Sequence, residues 1–210
     1  MRDRRHRYTA RMQHRPGAGS PDQATNRYIV DGSSTRLAKH LYIGAEPPMG
    51  PGLYAHGFDV LVLCAEEYQP PSSQFPGLNV FHVPFDDSVS RMGRTQIRRL
   101  QIVAQQVAEE WKRGKRVLVT CHMGINRSAL MSALIMSIIS GESPSECGSL
   151  IRGLRAYGGM RALDNPYFRT ILSELSLDQG VHVPAMGRVD VRNLHHQKSA
   201  KARALRLLAP

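Results

Sequence analysis

The chain has 210 residues, 41% of them apolar, which fits one domain of ordinary size with a real core and excludes wholesale disorder. Its longest mostly apolar run, residues 129–139, is far short of the roughly 20 residues that a membrane span needs. Three cysteines cannot make a secreted disulfide framework, and the formal net charge of +11 is unevenly spread.

Residues 1–27 hold seven Arg and two Asp, and residues 178–210 hold six Lys or Arg and two Asp. Residues 28–177 are nearly balanced, with 15 basic and 13 acidic side chains. The expected organisation is a disordered basic N-terminal arm (1–27), one folded domain (28–177) and a basic C-terminal tail (178–210). Basic arms are solvated extensions, or they bind nucleic acid, anionic lipid or an acidic partner. The N-terminus is polar and lacks the apolar stretch of a signal peptide. A reducing, cytoplasmic setting is therefore expected.

In chain order, Leu41–Gly44 predicts a short strand. Asp59–Cys64 (DVLVLC) is a continuous apolar run, suited to a strand covered on both faces. Asn79–Phe85 predicts another strand, ended by Asp86 and Asp87. From Thr95 the period becomes helical, with Ile97, Leu100, Ala104, Val107 and Trp111 on one stripe. Arg116–Thr120 (RVLVT) predicts the next strand, and Ser128–Ser140, apolar nearly all round, a buried helix. Ser143, Pro144 and Glu146 combine an N-cap, Pro at N1 and a capping-box acid, opening a further helix. Asn165-Pro166 opens a last one, with Phe168, Ile171, Leu172 and Leu175 inside. The C-terminal tail holds a weak basic helix signal near Ala200–Leu208. Strands interleaved with helices imply an α/β fold, a mostly parallel sheet of four to five strands flanked by helices.

Between RVLVT and the buried helix lies Cys121-His122-Met123-Gly124-Ile125-Asn126-Arg127-Ser128: a cysteine, five residues, Arg, then Ser. A loop that wraps from a strand into a helix N-terminus turns successive N–H groups inward, and with the helix dipole they cradle a tetrahedral dianion. Residues 122–127 are the expected substrate-binding residues. Gly124 permits the tight path, and the Arg127 fork can hold two phosphate oxygens. The cradle favours the Cys121 thiolate, a nucleophile for phosphorus, and Ser128 can donate to the sulfur as it leaves. Asp86 and Asp87 stand at a strand end where a carboxyl could protonate the leaving oxygen. Cys121, Arg127, Ser128 and one of these two carboxyls are the expected catalytic set, and the scheme needs no metal or organic cofactor. The neighbouring His195-His196 in the polar tail read as solvated rather than metal-binding.

Residues 121–128 resemble the signature loop of the cysteine-based protein tyrosine phosphatases in their dual-specificity branch. Leu41–Gly44 resembles that branch's first strand, and Val83–Asp87 its general-acid loop, where the resemblance implies an acid three residues after the proline, which makes Asp87 the catalytic acid, with Asp86 as fallback. Asn165 with Phe168 resembles the start of its final helix, where the resemblance implies an Asn side chain that braces the signature loop. The branch has His before the nucleophile; this chain has Thr120. His122, after it, reads as a rim side chain. Cys64-Ala65-Glu66 resembles the tensin-type lipid phosphatases, which implies a reversible Cys64–Cys121 disulfide. The alternative is that Cys64 is a small apolar residue of a core strand, and Cys147 reads as structural.

The resemblance implies dephosphorylation of phosphoproteins, on Tyr and also on Ser or Thr. Gly124-Ile125-Asn126-Arg127 also matches the loop of RNA 5′-triphosphatases, and the Cys64 stretch points to phosphoinositide phosphatases. The fourth reading is a phosphate-binding module of poor turnover, suggested by Thr120.

Overall fold

A computed structural model describes residues 34–88 and 92–178 of the chain. The expectations for residues 1–27, for the basic tail and for His195-His196 lie outside the described residues.

Five strands form one sheet: β1 (Ser34–Ala38), β2 (Leu41–Gly44), β3 (Val60–Ala65), β4 (Asn79–Phe85) and β5 (Val117–Thr120), in the order β1-β2-β5-β3-β4. All pairings are parallel except the β1–β2 hairpin at the edge. Among the described residues five α-helices accompany the sheet: α1 (Gly52–Ala55), α2 (Arg94–Lys112), α3 (Arg127–Ser140), α4 (Pro144–Tyr157) and α5 (Pro166–Asp178). The α/β expectation holds, and each expected strand and helix that falls among the described residues begins within a residue of its expected start. The sequence reading lacked β1, α1 and the antiparallel edge.

Every residue of β3 is buried, and its alternating side chains feed two cores. Val60, Val62 and Cys64 join the large core under the long helices; Leu61 and Leu63 join a smaller one with Leu53, Phe58, Phe75 and Leu118. This is the signature of a strand covered on both faces. Helix α3 runs through the large core, buried from Arg127 to Ser137, and packs against α2, α4 and α5. At its far end Gly141 closes the helix with φ of 73°, the left-handed cap that glycine adopts without strain. Ser143 and Glu146 form the expected reciprocal capping box on α4. Among the described residues no helix is long and apolar enough to cross a membrane.

This topology brings the carboxyl ends of β5, β3 and β4 side by side, at the edge where parallel α/β sheets place their sites. Three segments follow those ends: Cys121–Asn126, Glu66–Tyr68 and Asp86–Ser88.

Candidate active site

The loop from β5 to α3 is held by its carbonyl oxygens. The His122 carbonyl accepts from Glu46 N–H (3.2 Å), and the Ile125 carbonyl from Leu163 N–H (2.9 Å). The Gly124 carbonyl accepts from Nη2 of the buried Arg155 (2.9 Å), whose Nη1 donates to Thr35 Oγ1 (3.0 Å). Three carbonyls are thus engaged by groups outside the loop. By contrast, no backbone N–H of residues 122–128 donates a hydrogen bond to a described residue. A row of N–H groups without a protein partner can cradle an anion. Gly124 is required on two counts. Its φ is 67°, and a Cβ there would lie 2.8 Å from the backbone of Gly44 and Ala45.

Cys121 is 3% exposed at the base of the loop, its Sγ 3.2 Å from Oγ of the fully buried Ser128. Arg127, 5% exposed, gives both terminal nitrogens to the Glu67 carboxylate, Nη1 to Oε2 at 2.5 Å and Nη2 to Oε1 at 2.6 Å. Its Nη1 also donates to the Phe85 carbonyl (3.4 Å). This end-on fork leaves Nε buried with no partner among the described residues. Burial works against the guanidinium charge, but Glu67, Cys121 and Asp87 outweigh it and raise the Arg127 pKa. In return the Arg127 hydrogen bonds pull Glu67 down to about 2.

The sign of the linkage follows. Glu67 binds a proton less readily folded than unfolded, so its pairing stabilises the fold fully above about pH 4.5 and is lost as pH falls toward 2. Glu67→Gln is expected to lower the melting temperature near neutral pH. The difference from wild type should shrink as pH drops through that window, which thermal unfolding across pH 3–7 measures.

Asp87 is held beside the loop by two amides. Asn126 Nδ2 donates to its Oδ2 and Asn165 Nδ2 to its Oδ1, both at 3.2 Å. Asn165 Nδ2 also reaches the Asp87 and Ser88 carbonyls, while its backbone N–H donates to Asn126 Oδ1 (3.0 Å). The brace implied for Asn165 is therefore divided. Its side chain holds the acidic segment, and its backbone holds the signature loop. Asp86, the fallback, is exposed and has no such contacts among the described residues.

The remaining expectations find their places. Met123 is half exposed and His122 stands at the rim, its Nδ1 3.0 Å from Glu46 Oε2. Thr120 is buried and its hydroxyl donates to the Val62 carbonyl (3.1 Å), so it ties β5 to β3. Cys64 is a free, buried thiol of the large core; burial pushes it well up, and the nearby Cys121 adds to this. Cys147 is also buried and free, its thiol raised to about 11 by burial.

Three residues of the site were missed from sequence: Glu67, Arg155 and Glu46. Arg155 did leave a trace. It falls four residues after Ile151 and eight after Cys147, on the buried stripe of α4, where a charged side chain must have a partner.

The sheet order, the buried α3 and the loop between β5 and α3 define the fold of the cysteine-based protein tyrosine phosphatases, in its dual-specificity form. No protein-family profile matches the chain, and no curated protein matches it in sequence. Solved structures do. Human DUSP28 matches with a TM-score of 0.58 at 20% identity, over 70% of this chain and 95% of that one. Tk-PTP in its active form matches with a TM-score of 0.57 at 22% identity, over 70% and 97%. PTPMT1, solved in complex with PI(5)P, matches with a TM-score of 0.54 at 18% identity, over 70% and 99%.

Proposed function

We propose that the protein is a phosphatase that hydrolyses phosphomonoesters on proteins, phosphotyrosine first and phosphoserine or phosphothreonine as well, through a cysteinyl-phosphate intermediate. The observation that carries this reading is the loop itself: seven consecutive residues, 122–128, whose N–H groups have no described partner, wrapped above a buried cysteine and beside an unpartnered Arg127 Nε.

The phosphoryl oxygens take up the loop N–H groups and Arg127 Nε. The Cys121 thiolate attacks phosphorus; the S–P bond forms as the ester P–O bond breaks, and Asp87 gives its proton to the departing oxygen. A water then attacks phosphorus and passes its proton to the Asp87 carboxylate. The S–P bond breaks, inorganic phosphate leaves and the thiolate returns, with the Ser128 hydroxyl donating to it. Glu67 acts one step back, fixing the plane of the Arg127 fork. No metal or organic cofactor takes part.

The rim favours a singly phosphorylated side chain over a polyanion. Glu46 stands against His122 and Glu67 against Arg127, so carboxylates flank the cradle on two sides. A triphosphate end or a phosphoinositide head group would bring further negative charge against them. The test is a panel of phosphotyrosyl and phosphoseryl peptides, triphosphate RNA and phosphoinositides, compared by kcat/KM. Preference for triphosphate RNA or phosphoinositide would overturn the protein-substrate reading. Asp87→Asn is expected to lower kcat by about 10²–10⁴-fold, the usual worth of a positioned acid. The loss should be smaller for aryl phosphates whose leaving oxygen needs no proton. Equal losses for good and poor leaving groups would take the acid role from Asp87.

A further inference from the structure

A second cleft lies between α4 and α5, behind the segment that carries Asn165. It measures about 140 Å³, well under the roughly 300–1,000 Å³ of pockets for drug-sized ligands. Its floor is Gly148, Leu163 and Leu172. The helices meet closely there, since a Cβ on Gly148 would come 2.7 Å from Leu172 Cδ1. Its walls are polar and cationic: Arg152 and Arg169, with Ser145, Ser149 and Ser173.

The two arginines differ in how they are held. Arg169 is half-buried and fixed through Nη1, which donates to the carbonyls of Leu163 (2.6 Å) and Asp164 (3.0 Å). The Arg152 side chain is exposed and makes no hydrogen bond or ion pair with any described residue. The acids near in sequence do not neutralise them. Glu146 is taken up by the Ser143 cap, Asp164 pairs with Arg161, and neither these nor Glu174 line the cleft. The Ser149 and Ser173 hydroxyls are turned to their own helices, donating to the Ser145 and Arg169 carbonyls (3.0 Å each), so the two guanidinium groups, with no carboxylate among the described lining residues, are what suits this small recess to a compact tetrahedral dianion.

We propose that this cleft binds a phosphoryl group, held by Arg152 and Arg169 and bounded by Ser149 and Ser173. The group comes either from a phosphorylated residue of a protein or from free inorganic phosphate. The cleft shares a wall with the catalytic region. Leu163 lines its floor while its N–H holds the Ile125 carbonyl, and Arg169 grips the segment that leads to Asn165 and Asp87.

The test is a residue-resolved amide NMR titration of the full chain carrying Cys121→Ser, so that no phosphoester is consumed. Inorganic phosphate, a phosphoserine peptide and the same peptide without phosphate are the three probes. Saturable shifts at Ser149, Arg152, Leu163 and Ser173 are expected with one or both phosphate-bearing probes. Adding Arg152→Ala should weaken that binding at least tenfold and leave the shifts of residues 122–128 unchanged, while Arg152→Lys retains part of it. Tighter binding of the phosphopeptide assigns the site to a phosphorylated protein, and tighter binding of inorganic phosphate assigns it to the free ion. The proposal is overturned if the cleft amides stay still, if the unphosphorylated peptide shifts them equally, or if Arg152→Ala titrates like its parent. The amides of residues 122–128 report separately on the catalytic cradle, so failure of one site is distinguishable from failure of the other.

Discussion

Cys121→Ser is expected to abolish hydrolysis of a small aryl phosphate while leaving vanadate binding in place. The hydroxyl is far less nucleophilic than a thiolate, yet it keeps the loop, its outward-tied carbonyls and Arg127. The loss should be on the order of 10⁶-fold, the scale seen when a covalent nucleophile is removed from a hydrolase that keeps its other parts. Steady-state kinetics without added metal, paired with vanadate binding by calorimetry, reads both quantities. A variant that loses both would show only that the loop had collapsed, which the amide spectrum of residues 122–128 reveals. A wild type that binds vanadate and turns nothing over would make the protein a phosphate-binding module.

Arg127→Ala should fail differently, losing binding and turnover together. The side chain is buried, and its removal takes away the cationic donor of the cradle. It also leaves the Glu67 carboxylate without its bidentate partner, a negative charge beside a site for a dianion. A hydrogen bond to a charged group is worth about 1.5–3 kcal/mol, so losing the one from Nε costs roughly 10–10²-fold in kcat/KM, the unpaired Glu67 charge adds to it, and vanadate affinity falls in parallel. Arg127→Lys should recover little, since a point charge cannot serve the Glu67 fork and a phosphoryl oxygen at once. Glu67→Gln should sit between, about tenfold or more down in kcat/KM, because the fork survives without its anchor.

The parts of this site that lie close in sequence were the parts legible in sequence. Cys121–Ser128 is one contiguous stretch, and its place between an apolar strand and a buried helix can be read from periodicity alone. So can β3, whose unbroken apolar run has no other comfortable home than the middle of a covered sheet. Asp87 and Asn165 were reached through resemblance to a known loop and a known helix start. The partners that hold these residues were not legible, because tertiary approach alone makes them partners. Glu67 lies 60 residues before Arg127 in a stretch, AEEYQPP, that reads as a solvated turn. Only the parallel pairing of β3 with β5 brings the two strand ends together. The strand β1 was hidden for a related reason. Its burial begins only at Leu37, and it turns into β2 through His40, a non-glycine residue at φ of 62° that gives no turn signal.

The division of labour among the loop's neighbours also explains how Thr120 fits where the resemblance leads one to expect His. Its hydroxyl is engaged with the β3 backbone, and the bracing of the loop falls instead to Arg155, Leu163 and Glu46. Arg155 is a positioning residue in this account, since it touches only the back of the loop.

Rapid quenching during turnover of an aryl phosphate labelled in its phosphoryl group, followed by peptide mapping, shows whether phosphate passes through sulfur. Label is expected on the peptide that contains Cys121, formed as fast as the first phenol is released and absent in Cys121→Ser. Full turnover with no label on Cys121 at any quench time, or turnover that survives Cys121→Ser, would contradict passage through sulfur and would point to direct attack by water.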